Sequence, residues 1–306
     1  MASVLLTTRV PSSVLSLLQS HHTVDLFTGE SQFAVIDRAD LLRRLAGKDA
    51  FIATILDKVD EELLEAAPAL KIVANIGVGY NNIDAAAVRA RGIVLTNTPD
   101  VLTEATAELT WGLILGIARR IAEGDRLIRA GGWKGWALDF MLGTELGGKQ
   151  LGIIGRGRIG RAVAAKAAAF GMTAVFAKHD MSLDELLVSS DVVSIHTPGT
   201  PENRHLIDRR TLMRMKRSAL LVNTARGSIV DEEALVWALN ERLIAGAALD
   251  VFSKEPSVHA GLLPLENVVL APHLGSATRE TRTAMADLAV RNVLEVVAGR
   301  APLTPV

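Results

Sequence analysis

Along the first half of the chain, short runs of β-branched and other apolar residues alternate with stretches whose apolar positions recur at helical spacing. Residues 4–7, 50–55, 72–76 and 93–96 predict strands, whereas 60–67 and 84–90 predict helices. Pro68 stops the first of these helices and Gly92 follows the second. Strand and helix in alternation build parallel sheets flanked by helices, so this stretch forms a first α/β unit. Thr98-Pro99-Asp100 breaks the pattern, and Asp100 or Thr103 can cap one long helix running to about Arg129, ended by Gly131-Gly132. A second, more regular series follows, with strands expected at 150–155, 175–177, 192–196, 220–223, 245–249 and 268–271. One amphipathic helix, 279–298, closes the chain and is expected to return to the first unit.

Length fits two domains, because single cores stop growing near about 250–300 residues and this chain has 306. Lys plus Arg number 33 against 34 for Asp plus Glu, so no bulk field of either sign points to nucleic acid or a membrane. A small neutral or anionic metabolite suits that balance. With no cysteine, disulfides, thiolate metal sites and cysteine nucleophiles are excluded, the redox compartment stays open, and no metal site is expected. The longest apolar stretch, 111–118, is far below the roughly 20 residues that span a bilayer, and the opening residues lack the layout of a secretory signal. A cytoplasmic protein is expected.

The sharpest local motif is Gly155-Arg156-Gly157-Arg158-Ile159-Gly160, placed directly after a strand and opening an Ala-rich helix, 161–170. Gly155 permits a tight turn, Gly157 lets backbone amides approach a pyrophosphate, and Gly160 lets helix and strand pack closely. The helix N-terminus then faces the phosphate charge. Arg156 and Arg158 can pair with phosphate or simply be solvated. Where NAD-binding folds place an acid on the adenosine ribose, this chain has Lys178-His179, with Asp180 the nearest acid. A cation there removes the repulsion that excludes a 2′-phosphate and adds a charge-assisted hydrogen bond of about 1.5–3 kcal/mol, favouring NADP over NAD. Alternatively, Asp180 turns back to the ribose and Lys178 is solvated.

Three late segments combine reactive residue types at the ends of expected strands: 223–227 with Arg226, 249–256 with Glu255, and 271–278 with His273. Singly, each has a bland structural explanation. Together with Asn75-Ile76-Gly77-Val78-Gly79-Tyr80-Asn81-Asn82-Ile83-Asp84 and Asn97-Thr98-Pro99-Asp100-Val101-Leu102-Thr103, they make the chain resemble, over nearly its whole length, the D-isomer-specific 2-hydroxyacid dehydrogenase family, closest to its glyoxylate/hydroxypyruvate reductase branch.

That resemblance implies an α/β fold of two open parallel-sheet domains. A Rossmann-type cofactor domain, residues 99–276, is inserted into a flavodoxin-like substrate domain, residues 1–98 plus 277–306. It implies hydride transfer between NAD(P)H and a small 2-keto acid, with Arg226, Glu255 and His273 as the catalytic residues. The substrate carboxylate is implied to meet the backbone amides of Val78 and Gly79. Asp250 is implied to approach the nicotinamide carboxamide, while Thr106, Thr197, Pro198, Thr224, Ala225 and Gly275 line the cofactor cleft. Chemically, the reduction needs an acid and an electrophilic clamp. His273 is the obvious acid near neutrality, Glu255 would orient its ring and favour the charged form, and Arg226 offers two donors in a geometry Lys cannot copy.

Ile55 and Trp133 can shape the substrate pocket or pack; packing is the expectation for both. Between Phe176 and Leu186 the connection is shorter than the family usually has, which bears on adenosine recognition rather than catalysis. Relatives acting on phosphoglycerate or 2-ketogluconate remain alternatives. Formate enzymes carry Gln in place of the catalytic Glu, so Glu255 argues against them. A cofactor-sensing binding protein on the same scaffold is the alternative from another class. The resemblance also implies a homodimer, for which the long helix with Trp133 and Trp136 offers a surface.

Overall fold

The computed structural model describes residues 1–31 and 33–306. It contains two compact units, Met1–Leu102 with Thr278–Val306, and Thr103–Ala277.

In the first unit, strands β1 (Ser3–Leu6), β2 (Thr23–Leu26), β3 (Ala50–Ala53), β4 (Ile72–Asn75) and β5 (Val94–Thr96) form one parallel sheet in the order β2-β1-β3-β4-β5. Both faces are covered, so the central strands are apolar throughout yet still alternate. Val4 and Leu6 join the core on one face and Leu5 that on the other; Ala50 and Ile52 alternate likewise with Phe51 and Ala53. The closing helix, Arg279–Val297, belongs to this unit and sets Ala286, Ala289, Val290 and Val293 against the sheet at helical spacing. Helices Glu61–Ala66 and Ala85–Ala90 start where Asp60 and Asp84 accept backbone N–H groups as caps.

In the second unit, β6 (Gln150–Ile154), β7 (Thr173–Phe176), β8 (Val192–Ile195), β9 (Leu220–Asn223), β10 (Gly246–Leu249) and β11 (Val268–Leu270) form a parallel sheet ordered β11-β10-β9-β8-β6-β7. The chain steps from β6 outward to β7 and then returns past β6 to β8, so the order reverses between β6 and β8. Crevices that take ligands open at the carboxyl ends of strands at such a reversal.

Two local expectations need correction. The long helix to Arg129 is two helices, Thr103–Ala118 and Ile121–Arg129, because Arg120 turns left-handed at φ 54° between them. The helix after the glycine motif spans Arg158–Ala167 and tightens to a 3-10 turn at Ala168–Phe170. Strand β2 and helices Ser12–His21 and Arg38–Leu45 were not expected from the pattern.

Candidate active site

At the carboxyl end of β6 the three glycines have different jobs. Gly155 has φ +109°, and a Cβ there would lie 2.5 Å from the carbonyl of His196 at the end of β8. It thus lets the two strand ends close at the reversal. A Cβ on Gly160 would lie 2.1 Å from the Gly155 oxygen, so this glycine seats the helix on the strand. Around Gly157 a Cβ would meet nothing within 4 Å, and no side chain caps the helix that it precedes. Open space before an uncapped helix N-terminus fits a dinucleotide pyrophosphate. Behind the loop, Trp111 stacks on Phe170 at 4.3 Å and donates from Nε1 to the Val163 carbonyl, fixing the loop's helix from its buried side.

The end of β7 explains the short connection. Ala177 N–H donates inward to Ile153, so Phe176 N–H and Lys178 N–H face the outer edge of the sheet. The Asp180 carboxylate accepts from Phe176 N–H at 2.7 Å, and the Met181 carbonyl accepts from Lys178 N–H at 2.8 Å. Asp180 therefore satisfies an edge that a further strand would otherwise pair. Lys178, at φ 65°, and His179 are exposed beside it, and the Arg156 guanidinium lies 5.5 Å from the centre of the Phe176 ring.

At the carboxyl ends of β9, β10 and β11 the three late segments come together. His273 Nδ1 and Glu255 Oε2 are 2.7 Å apart, and the other Glu255 oxygen accepts from Phe252 N–H at 2.9 Å. Burial opposes the charge on Glu255, but the bonds from His273 and Phe252 and the charges of His273 and Arg226 outweigh it and hold its pKa below the usual carboxyl value. Burial likewise works against the Arg226 guanidinium, with Glu255 in partial compensation. Arg226 donates to the Ala225 carbonyl, and its own carbonyl accepts from Asn223 Nδ2.

Asp250 is buried and braces the His273 loop. Its two oxygens accept from Leu274 N–H at 2.6 Å and Gly275 N–H at 2.8 Å, while its carbonyl accepts from His273 N–H. Burial raises the Asp250 pKa, opposed by those two N–H bonds. His273 itself is left-handed at φ 54°, a backbone state non-glycine residues seldom hold without surrounding support. Thr106 Oγ1 donates to the Gly275 carbonyl at 3.1 Å. Thr197 and Pro198 follow the end of β8, where Asn203 Nδ2 donates to the hydroxyl of the first and the carbonyl of the second.

Several supports escaped the sequence. A Cβ on Gly227 would fall 1.9 Å from the Phe252 carbonyl carbon, so this glycine presses the Arg226 turn onto the loop carrying Glu255. Gly199 packs against the stem of Arg226, where a Cβ would lie 3.0 Å from Cγ. Buried Glu232 accepts from Ser253 N–H at 2.6 Å, and Thr110 pairs with Thr224 hydroxyl to hydroxyl at 2.9 Å. Their residue types carried no signal, since each acts through partners distant in sequence.

In the first unit, Val78 and Gly79 lie in the loop after β4, and Ile55 in the loop after β3. Asp57, buried, accepts from the Thr7 hydroxyl at 2.6 Å and from Thr54 N–H at 2.7 Å, tying the ends of β1 and β3. Ile55 is 40% exposed and, in the second unit, Trp133 is 57% exposed in the single chain.

A dinucleotide cradle and an imidazole–carboxylate pair at the carboxyl ends of one sheet suit a dehydrogenase, which needs a proton donor beside its cofactor. Residues 111–275 match the family D-isomer specific 2-hydroxyacid dehydrogenase, NAD binding domain. The chain is 43% identical to a glyoxylate reductase of Thermococcus onnurineus (strain NA1), covering 98% of this chain and 94% of that one. Among solved structures, it resembles a protein from Thermus thermophilus at TM-score 0.94 and 45% identity, covering 99% of both chains. It also resembles the NADPH-dependent glyoxylate/hydroxypyruvate reductase of Sinorhizobium meliloti in complex with NADP and malonate, at TM-score 0.85 and 33% identity over 100% of this chain and 96% of that one. The chain belongs to the D-isomer-specific 2-hydroxyacid dehydrogenase family, and its cofactor is NAD or NADP.

Proposed function

We propose that the protein reduces a small 2-keto acid, glyoxylate or hydroxypyruvate, to its D-2-hydroxy acid. The observation that carries this is the 2.7 Å His273–Glu255 pair with Arg226 close enough to act on the Glu255 charge. When bound, the reduced nicotinamide cofactor supplies the hydride to the carbonyl carbon. Glu255 occupies His273 Nδ1, which leaves Nε2 as the atom that gives a proton to the carbonyl oxygen. Arg226 polarises that oxygen and pairs with the carboxylate. In the first unit, taken by itself, the amides of Val78 and Gly79 are proposed as carboxylate donors.

We assign the pyrophosphate to the 155–160 loop, the nicotinamide end to Thr106, Thr224, Ala225, Asp250 and Gly275, and the adjoining cleft to Thr197 and Pro198. Arg156, Lys178 and His179 favour NADP, because Asp180, the acid that would select a free ribose, already turns one oxygen back to Phe176 N–H on the sheet edge. The relatives' glyoxylate activity and the bound NADP of the Sinorhizobium enzyme support both assignments.

No helix among the described residues is long and apolar enough to cross a membrane, and we place the reaction in the cytoplasm, where cofactor pools are held. A homodimer is proposed through segment 121–142, whose helix buries no residue while Trp136 and Leu138 stand exposed.

The test is oxidation of NADPH and NADH with glyoxylate, hydroxypyruvate and pyruvate, repeated on His273→Asn. Turnover of glyoxylate or hydroxypyruvate with NADPH preferred is expected, with the variant slowed at least about a hundredfold while still binding cofactor. An undiminished variant would remove His273 as the acid.

A further inference from the structure

The loop after β4 has an unusual arrangement of its carbonyl groups. Asn75 Nδ2 donates to the Gly77 carbonyl at 3.2 Å and to the Gly79 carbonyl at 3.1 Å. Asn97 Nδ2 donates to the Val78 carbonyl at 2.9 Å, and Thr98 N–H donates to the Gly77 carbonyl at 3.0 Å. Three successive carbonyls are therefore drawn towards β4 and the residues after β5.

A trans peptide is planar, with its C=O and the following N–H on opposite sides. Drawing in the carbonyls of Gly77, Val78 and Gly79 thus turns the N–H groups of Val78, Gly79 and Tyr80 the other way. Among the described residues none accepts a hydrogen bond from any of these three N–H groups, and all three residues are partly exposed. Successive outward amides make an anion-binding concavity.

Asn75 is fully buried, and its Oδ1 has no hydrogen-bond partner. Turning the carboxamide over would set that oxygen against two carbonyl oxygens, so the orientation is dictated by the loop. A buried acceptor left unmet is rare in a folded protein and calls for a compensating role.

We infer that Asn75 and Asn97 are positioning residues that hold the amides of Val78, Gly79 and Tyr80 as one preformed cradle for the substrate carboxylate. This rests on the keto-acid reading above and adds a third amide and the two carboxamides that set all three. The cradle binds charge that is present equally in the ground and transition states. Its loss therefore falls on KM rather than on kcat.

The experiment compares wild type with Asn97→Ala and Asn97→Asp, reading kcat and KM for glyoxylate, KM for NADPH, thermal midpoint, and the Kd of oxamate, a non-reducible mimic, with NADPH present. Asn97→Ala is expected to raise glyoxylate KM and oxamate Kd about tenfold while kcat and NADPH KM stay within about twofold. Asn97→Asp, which faces an acceptor towards the Val78 carbonyl, is expected to raise both further. Asn82→Ala, which removes a carboxamide that donates instead to the Thr54 and Asp57 carbonyls, is expected to lower the midpoint without that split. Unchanged oxamate Kd in both Asn97 variants, or a loss shared equally by kcat and NADPH KM, would overturn the inference. If wild type reduces no keto acid yet the oxamate shift persists, the cradle stands and the proposed activity falls. If wild type turns over normally and oxamate Kd is insensitive, the reverse holds.

Discussion

Arg226 is constrained both by burial and by what it bonds. Its guanidinium is set against burial, beside the negative Glu255, with one nitrogen on the Ala225 carbonyl. A lysine at this position would keep the charge but offer a single point donor, and could not meet a carboxylate and a carbonyl oxygen together. Arg226→Lys should lower kcat/KM for the keto acid by about a hundredfold or more, corresponding to roughly 2.7 kcal/mol of lost transition-state stabilisation. Cofactor affinity should hardly change. Steady-state kinetics and a cofactor titration on the same preparation check both parts; a drop below threefold would reassign the clamp to another group.

At the scale of elements, the catalytic residues are held by contact between loops at neighbouring strand ends. A Cβ on Gly227 would lie 1.9 Å from the Phe252 backbone, whereas one on Gly199 would meet only side-chain atoms, the Arg226 stem at 3.0 Å and the Ser228 hydroxyl at 3.2 Å. Gly227→Ala must push the Arg226 turn away from the Glu255 loop, and should cost about 1–3 kcal/mol of stability and at least tenfold in kcat/KM. Gly199→Ala asks only for a small shift of the Arg226 methylenes and the Ser228 hydroxyl and should be milder on both counts. Urea unfolding and kinetics rank the two; equal effects would show that the loop contact is not what sets the site.

This contrast also marks what was legible in the sequence. The glycine loop and the Arg, Glu and His segments are contiguous strings, so local pattern and family resemblance reached them. Gly227 and Glu232 matter through partners some 20 residues or more away, and no local pattern carries that. The edge strand β2 was missed because Asp25 interrupts its apolar run, serving Arg44 at 3.0 Å and Lys48 at 3.2 Å instead of a core. The break at Arg120 was missed because it lacks Gly or Pro, the residues that punctuate a helix.

For the whole molecule, two properties follow. Apolar residues of segment 121–142 left in water would be a liability for a monomer, so the protein should sediment as a dimer, and Trp136→Lys with Leu138→Lys should shift it towards monomer. A wild-type monomer at micromolar concentration would count against the proposed interface. Stability should also depend on pH through His196, whose ring nitrogen Nε2 is 2.8 Å from the Ser194 hydroxyl. Burial pushes its pKa down to about 3, so the folded chain keeps it neutral while the unfolded chain protonates it near pH 6.5. The unfolded state then binds more protons as pH falls through 6.5. This contribution is intact above that pH and is lost on acidification, at up to about 1.4 kcal/mol per pH unit. Between pH 7 and 5 that amounts to about 2 kcal/mol. The lowered carboxyl of Glu255 acts in the same direction from its ordinary value downward, whereas the raised Asp57 and Asp250 act oppositely above the ordinary carboxyl value, where the folded chain binds the extra proton. His196→Gln, which keeps a polar group near Ser194 without a titratable ring, should therefore flatten the slope between pH 7 and 5 and leave behaviour below pH 4 to the carboxylates. Urea midpoints at both pH values for the two proteins decide it: parallel losses would mean that the ring takes up its proton in the folded state as readily as in the unfolded one.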